Sequence, residues 1–387
     1  MSGLVTRELE QQAIHWRRHL HAHPELSFEE VETSRFVEET LRAFGGLDVE
    51  RPTPTSVVAH LRGRPGGKVL ALRADMDALP IHEENDVPYA STRPGVMHAC
   101  AHDAHTAILL GAARILTERR DELAGEVRFV FQHAEELPPG GAQELVDAGV
   151  MDGVDAVIGI HLFSSVPVGQ VAAQPGPLLA IADTFRIEVH GRGGHAASPH
   201  ETVDPIVIAA QVVTNLQHLV SRTVDPLDQG VVSVTRISGG TAKNVIPETV
   251  ELIGTVRTFK PQTKTALIAG IERVLRGVTE AHGATYSFDY EDGYAAVVND
   301  PEVAALVEGA ARAELGDGAV TRIDPVMGGE DFSAYLQRAP GAFFIVGTRN
   351  DAIGASFPHH HPRFAIDEAS LRDGIAVFAR VALDTLK

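Results

Sequence analysis

The chain has 387 residues, 44% apolar and 22% charged, enough for two or three packed domains and unlike a disordered, collagen-like or disulfide-stapled composition. Its 33 basic side chains face 52 acidic ones, and the formal charge of −19 argues against a nucleic-acid or anionic-membrane partner. A single cysteine, Cys100, leaves no intrachain disulfide, whereas 19 histidines are many for a residue whose usual tasks are metal binding and proton transfer.

In chain order, the segment 4–20 spaces Leu9, Ala13, Ile14, Trp16 and Leu20 as a helix, and 28–44 places Val31, Phe36, Val37 and Leu41 on one face before Gly45-Gly46 stops it. The first residues form no export signal, and no apolar run approaches the ~20 residues of a membrane span, so the expected location is the cytoplasm. Apolar strand-length runs at 57–61, 68–73, 127–131 and 156–161 alternate with helical patterns at 103–117 and 141–148. That alternation predicts an α/β fold whose mostly parallel mixed sheet is flanked by helices.

Past Pro175-Gly176-Pro177 the pattern changes. Strand 184–190, helix 203–220, strands 230–238 and 249–258, helix 262–282 and strand 285–290 read as a ferredoxin-like βαββαβ unit. After Gly293 the first style resumes, with helices at 301–315 and 332–337, a strand at 342–347 and a last helix at 368–386. The expected organisation is a catalytic domain of residues 1–182 and 291–387 with a domain of residues 183–290 inserted in it, and hinges near 175–177 and 291–293.

Catalytic residue types gather where strands of the first domain end: Asp75 and Asp77, then His133, Glu135 and Glu136, then His161. Ligands of open α/β sheets bind outside these carboxyl ends. Cys100 and His102, two residues apart, point the same way on an extended segment, and a helix capped by Asp103 would aim its positive end at the thiolate. Thiolate, imidazole and carboxylate together suit Zn²⁺, Mn²⁺, Co²⁺ or Ni²⁺. Of the neighbours Glu135 and Glu136, one can bind an ion while the other acts as general base. Pro358-His359-His360-His361-Pro362 adds a stiff histidine run.

The chain resembles the amidohydrolase branch of the aminoacylase and carboxypeptidase metallopeptidases, which includes hippurate and indole-acetyl-amino-acid hydrolases. The resemblance runs through Arg17–Phe28, Leu72–Pro80, Met97–Thr106, Gln132–Glu136, Gly193–His200, Asn244–Pro247, Gly254–Arg257 and His360–Phe364, essentially the whole chain. It implies metal ligands at Cys100, His102, Glu136, His161 and His360, with His359 the rival to His360, and a general base at Glu135. Five ligands imply two ions. It further implies an oxyanion donor at His195, substrate contacts at Asn244 and Arg257, and Asp75 as the carboxylate that orients a ligand histidine. The inserted domain is implied to be a lid that also pairs two copies of the chain.

Two departures stand out. Ala101 replaces the family's usual glycine, which requires a negative φ there, and His133 replaces a proline. The expected activity is hydrolysis of N-acyl amino acids, with a carboxypeptidase or dipeptidase on the same scaffold as the alternative. A metal-binding module without catalysis would have no use for Glu135.

Overall fold

The structure, a computed structural model, describes residues 3–387. The chain runs α1 (Arg7–Ala22), α2 (Val31–Phe44), β1 (Asp48–Glu50), β2 (Val57–Arg62), β3 (Arg64–Asp75), α3 (His102–Glu118), β4 (Ala124–Gln132), α4 (Gly141–Asp147) and β5 (Ala156–Pro167). It continues through β6 (Val171–Ala172), β7 (Gly176–Leu179), β8 (Ile181–His190), β9 (Gly194–His195), α5 (Pro205–Thr223), β10 (Gly230–Ser238), β11 (Val245–Ile246), β12 (Thr249–Thr258), α6 (Pro261–Ala281) and β13 (Thr285–Tyr294). The last elements are β14 (Val297–Asn299), α7 (Pro301–Leu315), α8 (Ser333–Leu336), β15 (Gly341–Arg349) and α9 (Ala369–Thr385).

The chain divides into two compact units. The first holds residues up to Leu178, Val297–Asp324 and Asp331–Lys387. Its seven strands lie in the order β1-β2-β4-β3-β5-β15-β6, parallel through β4, β3, β5 and β15 and antiparallel towards both edges. Side chains alternate across this sheet as strand geometry requires. Leu70, Leu72 and Ala74 of β3 join a core shared with α1, α3, α7 and α9. On the other face Arg73 reaches Asp331 at 2.8 Å and lies over the Phe332 ring, just before α8. The expected helix over 28–44 starts only at Val31, because Phe28 takes φ +67°.

The second unit holds Leu179–Ala296 together with Pro325–Glu330. Its sheet has the order β10-β12-β8-β13, all antiparallel. Phe185, Ile187 and Val189 of β8 and Val250, Leu252 and Val256 of β12 form its core with Ile208, Val212 and Leu216 of α5 and Leu267, Ile271 and Leu275 of α6. Residues 325–330 join it through a parallel bridge between Leu179 and Val326 and an Ala180 N–H bond to Gly328 O. Among the described residues no helix is long and apolar enough to cross a membrane.

Candidate active site

The parallel pairing of β4, β3 and β5 sets their chemistry-bearing ends side by side. Asp75 closes β3, the turn 133–136 follows β4, His161 lies on β5, and Cys100 arrives with the first turn of α3. Their potential ligand atoms form overlapping groups, each within 4.8 Å: Cys100, His102 and His161; Cys100, Glu136 and His360; and His102, Glu135 and Glu136. All five ligands implied by the resemblance therefore meet here, in two triads that share Cys100.

Two atoms that ligate one tetrahedral ion at 2.0–2.3 Å lie ~3.3–3.8 Å apart. Cys100 Sγ and His161 Nε2 are separated by 3.5 Å, and His360 Nε2 and Glu136 Oε1 by 3.2 Å. His102 Nε2, 3.9 Å from Glu136 Oε1, is buried without a hydrogen-bond partner among the described residues. A buried ring nitrogen left without a partner among carboxylates is what a metal centre requires, and the donor set fits divalent ions.

Hydrogen bonds fix which ring nitrogens are available. His102 Nδ1 donates to the Asp77 carbonyl at 2.9 Å, with Asp77 Oδ1 at 3.2 Å, which leaves the Nε2 lone pair to the site. His161 Nδ1 donates to Leu162 O at 3.0 Å, so its Nε2 is likewise free, and burial among other imidazoles holds this ring neutral. His359 Nε2 donates to the same Leu162 carbonyl at 2.8 Å, and its ring belongs to none of the groups. His360, not His359, faces Glu136.

Asp75 bonds to His105 rather than to a ligand: its Oδ1 is 2.6 Å from His105 Nδ1, and its Oδ2 takes Arg73 at 2.8 Å. The carboxylate beside His102 Nδ1 is that of Asp77. His105 accepts the Leu162 N–H at Nε2, so its proton is on Nδ1 and neither nitrogen is open to an ion. His105 thus ties β3 to β5 next to His161. In the sequence Asp77 stands out as a strand-end carboxylate without a definite role, and His105, inside the 97–106 motif, carries no signal that separates it from a ligand.

The backbone around these groups is strained. Every non-glycine residue with positive φ among those described lies in a segment of the site: Phe28 (+67°), Ala101 (+68°), Ala134 (+49°) and His360 (+62°). The negative φ expected at Ala101 is therefore corrected, and alanine keeps the left-handed turn at a cost of about 1 kcal/mol. Asp103 does not cap α3. Ala101 occupies the cap, and Asp103 accepts from Arg17 Nε at 2.7 Å and His21 Nδ1 at 2.8 Å. Nor does the helix end favour a thiolate in the metal-free protein: burial and then Glu136, Glu135 and Asp75 push the Cys100 thiol well up. His133 turns to Glu144 of α4 at 3.1 Å.

In the second unit, β9 pairs with β11 so that His195 lies opposite Val245, and Ala196 N–H bonds Asn244 O at 3.1 Å. Ala197 N–H donates to His195 Nδ1 at 3.0 Å, so the neutral ring carries its hydrogen on Nε2. This pair leaves β12 at its Thr249 end, where Gly191 bonds Glu248. Arg257 stands eight residues further along β12, ~27 Å of strand.

A model of peptidase family M20/M25/M40 matches residues 71–384. An N-acyl-L-amino acid amidohydrolase of Geobacillus stearothermophilus is 57% identical over 295 residues, covering 76% of this chain and 80% of that protein. Thermostable carboxypeptidase 2 of Saccharolobus solfataricus is 43% identical over 381 residues, 97% of this chain and 96% of the relative. A Bacillus subtilis crystal structure, described as a dinuclear metal-binding peptidase, is similar with a TM-score of 0.87 and 38% identity, over 98% of this chain and 99% of that one. Motifs, fold and site lead to one conclusion: the chain belongs to peptidase family M20/M25/M40 and is a hydrolase.

Proposed function

We propose that the protein hydrolyses N-acyl amino acids to a carboxylic acid and an amino acid, using two divalent ions drawn from Mn²⁺, Zn²⁺, Co²⁺ and Ni²⁺. The observation that carries this is the pair of ligand triads sharing Cys100, with Glu135 beside His102 as a carboxylate that neither triad uses. One ion would be held by Cys100, His102 and His161, the other by Cys100, Glu136 and His360. Bound there, the ions would supply Lewis-acid polarisation of the amide carbonyl and acidify water in the site.

The remaining work belongs to the chain. Glu135 takes a proton from the attacking water on a carboxylate oxygen and returns it to the leaving amine nitrogen. His195, with its hydrogen on Nε2, is suited to donate to the developing oxyanion. Asn244 and Arg257 take the substrate's carbonyl and carboxylate. Asp77 keeps His102 in its ligating tautomer, while Asp75 acts further out, through His105.

The test is a substrate panel. Protein stripped by chelator and reloaded with each metal in turn is expected to release amino acid from N-acetyl, N-benzoyl or indole-acetyl amino acids faster than from dipeptides. The carboxypeptidase relative favours the second reading, and faster cleavage of peptides would establish it.

The chain is further proposed to act in the cytoplasm as a homodimer joined through the second unit. Arg257 stands ~27 Å along β12 from the end at which the pair carrying His195 departs, which supports this, because one small substrate would not span that length in a single subunit. Mixing His195→Ala with Glu135→Ala subunits is then expected to restore about a quarter of wild-type activity, since half the dimers are mixed and each has one complete site. No recovery after verified subunit exchange would assign His195 to its own subunit.

A further inference from the structure

The link between α1 and α2 is bound to the site at several points. Glu25 O accepts the Ala78 N–H at 2.8 Å, and Ser27 Oγ donates to Asp77 Oδ2 at 2.6 Å. That same Asp77 oxygen accepts the Glu136 N–H at 3.0 Å. Phe28 turns the chain with its positive φ, and two residues later Glu30, fully buried, accepts the Ala134 N–H on Oε1 at 2.7 Å. Ala134 O accepts from Gly141 N at 3.0 Å. Glu135 therefore stands between two anchored peptides, with Glu30 holding the amide before it and Asp77 the amide after it.

This anchoring has a geometric purpose. β4 ends at Gln132, and continued strand geometry would send Glu135 and Glu136 to opposite faces. The left-handed turn at Ala134 breaks the alternation, so that both carboxylates come within 4.8 Å of a His102 ring nitrogen and of each other. An amide in such a turn has lost its ladder partner and must find another. Glu30 provides it. Its second oxygen, Oε2, is buried without a hydrogen-bond partner among the described residues. Burial and the charge of Asp77 push the Glu30 carboxyl up to about 8, and the neutral acid still offers its carbonyl oxygen as an acceptor.

We propose that Glu30 is a positioning residue for hydrolysis: by holding the Ala134 peptide in its left-handed turn it directs the Glu135 carboxylate, separately from the ligand Glu136. This rests on the reading of Glu135 as the base. Two substitutions of similar size separate acceptor from volume, since Glu30→Gln keeps a carbonyl oxygen and Glu30→Met has none.

In the metal-loaded protein Glu30→Gln is expected to keep kcat within about threefold of wild type. Glu30→Met is expected to lower kcat ~10-fold or more while KM and bound metal stay within about twofold, as follows from small misplacements of a reacting group. Amide exchange of the 132–137 segment should show the Ala134 N–H protected in wild type and Glu30→Gln, and exposed in Glu30→Met. Wild-type kcat in the methionine variant would overturn the proposal, as would metal lost together with kcat, which would mean a general collapse of the site. If the methionine variant does not fold, a rapidly exchanging Ala134 amide in wild type, or a ~10-fold loss of kcat in Glu30→Gln, overturns it. Should wild type cleave no acyl amino acid or peptide, the base reading fails, and the exchange measurement still decides the anchor.

Discussion

Glu135→Ala is expected to retain its metal and its substrate affinity while kcat falls ~10²–10⁴-fold, the usual worth of general acid–base help. Glu135 belongs to neither of the triads that contain Cys100, whereas Glu136 faces His360 in one of them. Removing Glu136 deletes a ligand, so Glu136→Ala should lose metal first and activity as a consequence. Metal analysis beside steady-state kinetics separates the two. Full metal occupancy in both variants would show that these neighbours do not divide the work as proposed.

Cys100→Ser is expected to empty the site more completely than any other single ligand change. Cys100 alone is common to the two triads built from the implied ligands, so both lose a donor at once. A serine hydroxyl keeps the shape of this small buried side chain but does not ionise near neutral pH. The loss of metal affinity should exceed the ~10–100-fold typical when only a partner of a ligand is removed. The fold should survive, with an unchanged thermal transition in chelator as the check. In chelator the buried thiol, its pKa held well up, should alkylate slowly at neutral pH and faster in base, and bound metal should suppress even that reaction. Rapid alkylation of the metal-loaded enzyme with activity retained would exclude Cys100 as a ligand.

Much of the architecture is readable in the sequence because the two periodicities differ so clearly. β8, α5, β10, β12, α6 and β13 are each long enough to show their own period, and β3, β4 and β5 carry nearly continuous buried runs. The ligand types also stand at strand ends, where an α/β sheet exposes them. The finer arrangement depends on distant residues. Asp75 and Asp77 are two apart, and spacing alone does not say which meets His102; the register of the chain beyond β3 brings Asp77 there. Ala101 has no intrinsic leaning towards positive φ, and its turn is tied by backbone bonds, Ala101 O accepting from Ala104 and His105 and Ala99 O from the distant His360. The ring nitrogen that His105 leaves to Leu162 follows from a contact 57 residues away. β9 and β11, two residues each, and the return of Pro325–Glu330 to the second unit carry no periodic signal at all.

The order of strands has a consequence for the growing chain. β5 pairs in parallel with β15, and the two are separated by the whole of the second unit. At ~5–20 residues per second, the ribosome needs ~10–40 s after β5 to deliver β15. During that interval the apolar edge of β5, which carries Ile158, Ile160 and Leu162, has no neighbour on that side. The second unit is complete as soon as Glu330 has emerged, so the inserted unit can finish before the one that contains it. A nascent chain with an open apolar edge is a substrate for chaperones and a seed for aggregation. Slowing translation or supplying chaperones during overexpression is therefore expected to raise the soluble yield.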